Sequence, residues 1–192
     1  MDKISVFSKE YTYIQNEKYC EDLKKLVNLL PDYYFEVPAS STGKYHPEFS
    51  LGDGGLVRHT KAAVRIAYEL LKNNVIGSQF SSQQKDLMLM ALVLHDGLKS
   101  GLEKQKYTQV EHPLLVSNYI KDNKDKLTLT CEEVRFICEC IESHMGEWNK
   151  DFNGVEVLPI PKNKYQKFVH MCDFLASRKF LNINFNDNDI VE

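Results

Sequence analysis

The sequence has no long apolar run, no internal repeat, no Cys-x-x-Cys pair and only one tryptophan. Each absence narrows the reading. No stretch approaches the roughly 20 apolar residues that span a bilayer, so no membrane partner is expected. No repeat or low-complexity linker divides the chain, and residues 1–192 read as one domain. The five cysteines (Cys20, Cys131, Cys138, Cys140 and Cys172) are odd in number. With no secretory segment at the N-terminus, they point to a reduced, cytoplasmic setting. Cys138 and Cys140 lie two residues apart and point to different sides of a helix, a poor basis for a cysteine metal site. There is also no excess of basic charge. The chain carries 24 Lys and Arg against 27 Asp and Glu, a formal net charge of −3. That excludes the broad basic surface needed to bind a long duplex nucleic acid, and leaves room for a small anionic substrate.

What remains is ordinary globular material: 43% hydrophobic and 27% charged residues, in a chain long enough for a sizeable core. Periodicity points to an all-α domain. Residues 1–14 read as a loosely packed lead-in. "EKYCEDLKKLVNLL" (17–30) spaces Tyr19, Leu23, Leu26, Val27 and Leu30 for a helix that Pro31 ends. Residues 31–55 form a long loop whose aromatics (Tyr33, Tyr34, Phe35, Tyr45, Phe49) argue for order. From residue 56 helices follow one another. One is "SQQKDLMLMALVLHD", capped by Ser81 or Ser82 and apolar all round, as a central helix would be. Thr130 with Glu133 has capping-box spacing. "FNGVEVLPIP" suggests a turn with a short strand or hairpin, and connections are expected to be short except in 31–55 and 146–161. The tail from Asn184 reads as frayed.

The chemistry is in the polar residues of these helices. His59 lies near the start of one, His95 and Asp96 end the next, His112 opens a third, His144 ends a fourth, and Asp173 lies within the last. An unpartnered polar group on an apolar face is costly, and a divalent cation removes that cost. Taken singly, each histidine is a helix cap or a satisfied core group. Asp173 could pair with Arg178 or Lys179, and Lys99 could be a cation at a helix C-terminus. The coincidence of the set favours a metal site.

At these residues the sequence resembles the HD superfamily of metal-dependent phosphohydrolases. The family pattern is a His, a His-Asp doublet and a final Asp on successive helices, matched here by His59, His95, Asp96 and Asp173. "GGLVRHT" (54–60) looks like the family's lead-in to the first histidine, "HDGLK" is similar to His-Asp-x-x-Lys, and "FVHMCDFLASR" resembles the last helix. The likeness covers residues 45–180, which would form the core of the domain, an HD-type helical bundle. It implies that His59, His95, Asp96 and Asp173 bind a first metal ion. Asp96 would bridge to a second held by His112 and His144. The Gly-Tyr-Pro motif of the cyclic-di-GMP-degrading branch and the Glu-Asp dyad of the 5′-nucleotidase branch are absent. The approach "FEVPASSTGKYHPEFSLGDGGLVRHT" is reminiscent of members that act as 3′–5′ exoribonucleases.

The resemblance therefore implies a phosphohydrolase that holds one or two divalent ions (Mn, Fe, Mg, Co, Ni or Zn). A metal-activated water would attack a nucleotide-like phosphoester, a phosphodiester or short oligonucleotide. Asp96 is the expected bridge, and Lys99 the cation that offsets charge on the phosphoryl oxygens. Candidate substrate contacts are Ser40, Ser41, Thr42, Gly43, Lys44 and His46 in the long loop. Their hydroxyls and N–H groups could wrap an anion, or could simply bond their own backbone. Arg58 could reach a phosphate. Trp148 could stack a nucleobase or pack in the core. Two other functions stand beside this one: a nucleoside triphosphohydrolase, and a catalytically silent sensor that binds a nucleotide.

Overall fold

The central helix is α5 (Ser82–Leu94). Its residues from Asp86 to Leu94 are all buried, so neighbours must cover it on every side. Each fully buried Leu or Met there contributes about 1.5–3 kcal/mol relative to exposure. The helix starts where a capping box forms. Ser81 Oγ accepts from the Gln84 N–H at 3.2 Å, and Gln84 Oε1 accepts from the Ser81 N–H at 3.0 Å. Around it pack α2 (Glu17–Leu29), α3 (Gly55–Lys72), α7 (Cys131–Glu142) and α8 (Lys164–Ala176). Helix α6 (His112–Asp122) lies against α7, and two short helices, α1 (Ser8–Tyr11) and α4 (Asn74–Gly77), complete the helical set.

This structure is a computed structural model that describes residues 2–44 and 46–191. It is mainly helical. Its one sheet among the described residues is an antiparallel hairpin of β1 (Phe185–Asn186) and β2 (Asp189–Ile190). The expected Thr130–Glu133 box opens α7, and a further box, Asn163 with Gln166, opens α8. No helix of the described residues is long and apolar enough to cross a membrane.

Four expectations are corrected. The lead-in is not loose: Phe7 is fully buried, Tyr11 nearly so, and Asp86 accepts the Gln15 and Asn16 N–H groups at 3.0 and 2.9 Å. The tail is not frayed. Phe185 packs on Phe49 with ring centroids 5.1 Å apart, and Asp189 pairs with Lys61 at 2.5 Å. "FNGVEVLPIP" makes a turn with a single β-bridge, Lys150 to Glu156, rather than a hairpin. Residues 95–111 form a further long segment without a helix. The loop 31–55 is ordered as expected, with 3₁₀ turns at Asp32–Phe35 and Glu48–Ser50 and with Tyr33, Tyr34 and Phe35 buried. Tyr45 lies outside the described residues.

The loop aromatics set the spacing of the helices that matter. Tyr34 Oη donates to Thr60 Oγ1 at 3.0 Å, which ties the loop to α3 one residue past His59, and Val93 O of α5 lies 3.5 Å away. Tyr33 Oη donates to Gly101 O at 2.5 Å and accepts from the Ser100 N–H at 3.2 Å, bracing the segment after the doublet.

Candidate metal centre

Helix α5 stops at Leu94, and His95 and Asp96 occupy the turn that follows. The backbone runs so close to α2 there that a Cβ on Gly97 would sit 2.8 Å from Leu30 Cδ2. A side chain at Gly97 would have to displace the tip of Leu30 and would press on Leu94 O at 3.0 Å. His59 arrives from the second turn of α3, His112 from the first residue of α6, His144 from just past α7, and Asp173 from α8.

These six side chains converge. His59 Nε2 lies 2.9 Å from Asp173 Oδ1, and His95 Nε2 lies 3.4 Å from the same oxygen. His95 Nε2 is 3.5 Å and His59 Nε2 3.9 Å from Asp96 Oδ2. The other oxygen, Asp96 Oδ1, faces His112 Nε2 at 2.9 Å and His144 Nε2 at 3.6 Å. Asp96 thus stands between two sets of imidazoles, one on each carboxylate oxygen. The ligand atoms of His59, His95 and Asp173 lie within 4.8 Å of one another, as do those of His95, Asp96 and His144. Either group could hold a metal ion. No cysteine belongs to a potential metal group among the described residues.

Three of the imidazoles are oriented by the same device. Nδ1–H of His95 donates to Leu92 O at 2.6 Å, that of His112 to Gln109 O at 2.7 Å, and that of His144 to Ile141 O at 2.7 Å. Each bond reaches back three residues and puts the proton on Nδ1. Each Nε2 then carries a lone pair, and that lone pair points inward. At His112, a nitrogen lone pair faces a carboxylate oxygen at 2.9 Å. His95 Nε2, His112 Nε2 and Asp96 Oδ1 are all buried without a hydrogen-bond partner. Such groups repel one another and have lost their water, a cost of several kcal/mol that a shared cation removes. The donor set fits a divalent metal on this ground.

The titration directions reflect the same crowding of carboxylates, imidazoles and the Lys99 ammonium. Burial pushes the Asp96 carboxyl up, but Lys99 and the surrounding imidazoles outweigh it and hold the group well below the usual carboxylate range. Burial is likewise outweighed at Asp173 by His59 and His95. Burial lowers His59 and His112 below the ordinary histidine value. At His95 burial pulls downward, yet Asp96 and Asp173 prevail and raise it. Two ionised carboxylates among mainly neutral imidazoles form a donor set ready for a cation.

Lys99 Nζ donates to Asp96 Oδ2, and its side chain also lines a cavity of about 760 Å³ beside the centre. Not every expected substrate contact reaches that cavity. Ser41 and Arg58 line it. Arg58 is largely committed elsewhere: Nε donates to Phe49 O at 2.6 Å, Nη2 to Leu51 O at 2.8 Å and Nη1 to Asn188 Oδ1 at 2.9 Å. It ties loop and tail together rather than standing free for a phosphate. Ser40 and Lys44 do not line the cavity. The run closes on itself, with the Thr42 N–H 3.4 Å from Ser40 Oγ and the Lys44 N–H 3.4 Å from Thr42 Oγ1. These bonds are those of a turn that bonds its own backbone, and of the run only Ser41 lines the cavity. His46 sits edge-on to His59, with ring centroids 5.3 Å apart, and burial with help from His59 and Lys99 pushes its pKa down to about 3. It borders the metal centre instead of the cavity. Trp148 does not line the cavity: its half-exposed ring stacks on Phe174 at 5.8 Å, with the Arg178 guanidinium over both.

Two contributors carry no role in the sequence reading. His170 Nδ1 donates to His144 O at 2.6 Å, steadying the turn that presents a ligand. Its position three residues before Asp173, on the same face of α8, is the signal that could have found it. The tip of the tail hairpin, Asp187 and Asn188, also lines the cavity.

Comparison with protein-family models, with curated proteins and with solved structures found no match.

Proposed function

We propose that this chain is a metal-dependent phosphohydrolase of the HD type, acting on a nucleotide-like phosphoester. The observation that carries the reading is the convergence of four imidazole Nε2 atoms on Asp96 and Asp173, with those of His95 and His112 buried and unpaired. His59, His95 and Asp173 would hold one ion, and His112 and His144 a second, with Asp96 turned toward both. The imidazole-rich set suits Mn, Fe, Co, Ni or Zn better than Mg, which prefers oxygen ligands. A bound divalent ion supplies Lewis acidity, acidifying a water and neutralising phosphoryl oxygens.

The chain's own residues do the rest. Three backbone carbonyls hold the imidazoles in the ligating tautomer, so little reorganisation is needed. Near-zero exposure of His59, His95, Asp96, His112 and His144 keeps bulk water from competing. Lys99, between Asp96 and the cavity, can turn its ammonium to a phosphoryl oxygen as negative charge grows there.

The test is a screen of nucleotides and a chromogenic phosphodiester with Mn, Mg, Fe, Co and Ni, run beside Asp96→Ala. Turnover that needs metal and vanishes in the variant supports the reading. Metal bound stoichiometrically with no turnover of any phosphoester replaces it with the silent sensor.

A further inference from the structure

The lysines and the carboxylates of the cavity come from different chain segments. Lys99, Lys104 and Lys106 all come from the stretch that follows the doublet, and Lys99 touches Asp96 of the metal centre. The carboxylates come from elsewhere: Glu36 and Asp53 from the long loop, Asp187 from the tip of the tail hairpin. The basic stretch is the phosphoryl end if the proposed phosphohydrolase reading holds, and the remainder of the inference rests on that orientation. The other segments then face the body of the substrate with three carboxylates and one cation, Arg58, whose N–H groups are given to Phe49 O, Leu51 O and Asn188 Oδ1, so acceptors prevail there and disfavour further negative charge. A triphosphate or an oligonucleotide would set phosphates against them. A volume of about 760 Å³ suits a small molecule.

The hairpin tip is held firmly enough to select. Lys61, buried beneath it, reaches Asp189 Oδ1 at 2.5 Å and lies 3.9 Å from Glu10 Oε2 and 6.0 Å from the centre of the Phe7 ring. Asn188 Oδ1 accepts from Arg58, which is itself bonded to the backbone of the long loop. Two anchors on α3 therefore fix residues 187–190. Asp187 is the first residue of the two-residue turn between the paired Asn186 and Asp189, and its φ is 51°. Glycine, asparagine and aspartate are the residues that such a turn position takes. The fold therefore accepts the aspartate without requiring its carboxylate, which is left facing the cavity.

We propose that Asp187, at the anchored tip of the C-terminal hairpin, is a specificity-determining residue: it accepts hydrogen bonds from the hydroxyl- or amine-bearing body of a substrate whose single phosphoryl group lies against Lys99.

The test compares affinities on the full-length, metal-loaded protein by calorimetry, with inorganic phosphate and the four ribonucleoside 5′-mono- and triphosphates as probes. The wild type should bind at least one monophosphate more tightly than both inorganic phosphate and the matching triphosphate. Asp187→Gly suits the positive φ and should keep the hairpin, which circular dichroism and metal content verify. It should lower the ratio of monophosphate to inorganic-phosphate affinity about tenfold or more, the scale of a charged hydrogen bond. Asp187→Asn, which also tolerates this backbone region, should lower it less. An unchanged ratio in Asp187→Gly, or a wild type with no preference for any monophosphate, overturns the proposal. Turnover measured on the same samples separates the two readings. An Asp187-dependent preference without turnover of any phosphoester supports this recognition element and removes the hydrolase. Turnover with an unchanged ratio does the reverse.

Discussion

Two aspartates, Asp22 and Asp96, are equally inaccessible and differ in everything that surrounds them. Asp22, on α2, accepts the Thr128 N–H at 2.6 Å, the Thr128 hydroxyl at 2.8 Å and the Leu129 N–H at 3.1 Å, and pairs with Lys25 at 2.9 Å. Its lone pairs all meet donors, and it clamps the strand-like approach to α7 onto α2. Asp96 meets one donor, Lys99, on Oδ2, while its Oδ1 faces the Nε2 lone pairs of His112 and His144. A carboxylate whose neighbours are all donors is finished by folding, whereas one surrounded by acceptors awaits a cation. Burial alone does not separate structure from chemistry; the polarity of the partners does.

That contrast can be broken by experiment. The largest effect expected is on activity in Asp96→Ala, which should lose more than about 10³-fold in turnover, beyond the loss of a single transition-state donor. Elemental analysis should show reduced metal content while circular dichroism stays helical; normal turnover would place the site elsewhere. Asp22→Ala should do the opposite, unfolding about 3 kcal/mol more easily with metal content unchanged, because three donors lose their acceptor. Denaturant titration measures this. Burial raises the Asp22 pKa but Lys25 and Thr128 lower it further, so the folded value lies below the unfolded one. Its stabilisation is therefore fully present above the unfolded carboxylate pKa near 3.9 and fades as pH falls through the lower folded value. The gap between wild type and Asp22→Ala should be constant at neutral pH and close in acid.

Next in size, chelation should lower the melting temperature by about 5–10 °C, corresponding to about 2.7 kcal/mol lost when metal at a hundredfold its Kd is withdrawn. The shift should survive in Asp22→Ala and disappear in Asp96→Ala, as scanning calorimetry would report. Smallest is Lys99→Ala. It should lower kcat about 30-fold, about 2 kcal/mol, without loss of metal, since Lys99 donates to Asp96 and is not a ligand. A variant of Lys99 with unchanged kcat would mean the ammonium serves only to pair Asp96.

Much of the helical order was legible because it is local. The caps at Ser81 and Thr130, the end of α2 at Pro31 and the all-round apolar α5 follow from neighbours within a few residues. The candidate ligands were legible too, since His59, His95, Asp96, His112, His144 and Asp173 each fall at a recognisable place on a helix. The surroundings of the candidate substrate residues were less legible. The run from Ser40 to Lys44 has the composition of an anion loop but bonds itself. Trp148 finds Phe174 and Arg178, partners no spacing rule connects to it. The tail resembles a frayed end in composition, yet its Phe185, Asn188 and Asp189 each meet a residue far back in the chain.

By itself the amino-acid sequence determined where helices begin and end and which side chains carry donor atoms, because hydrogen-bond caps and apolar periodicity act over a few residues. Only the tertiary structure decided which way those donors point and what they meet. The Nδ1 bonds that turn three of the imidazoles reach back only three residues, but the meeting of their Nε2 atoms on the two oxygens of Asp96 and the anchoring of the hairpin on α3 depend on contacts between residues distant in the chain, which no local pattern encodes.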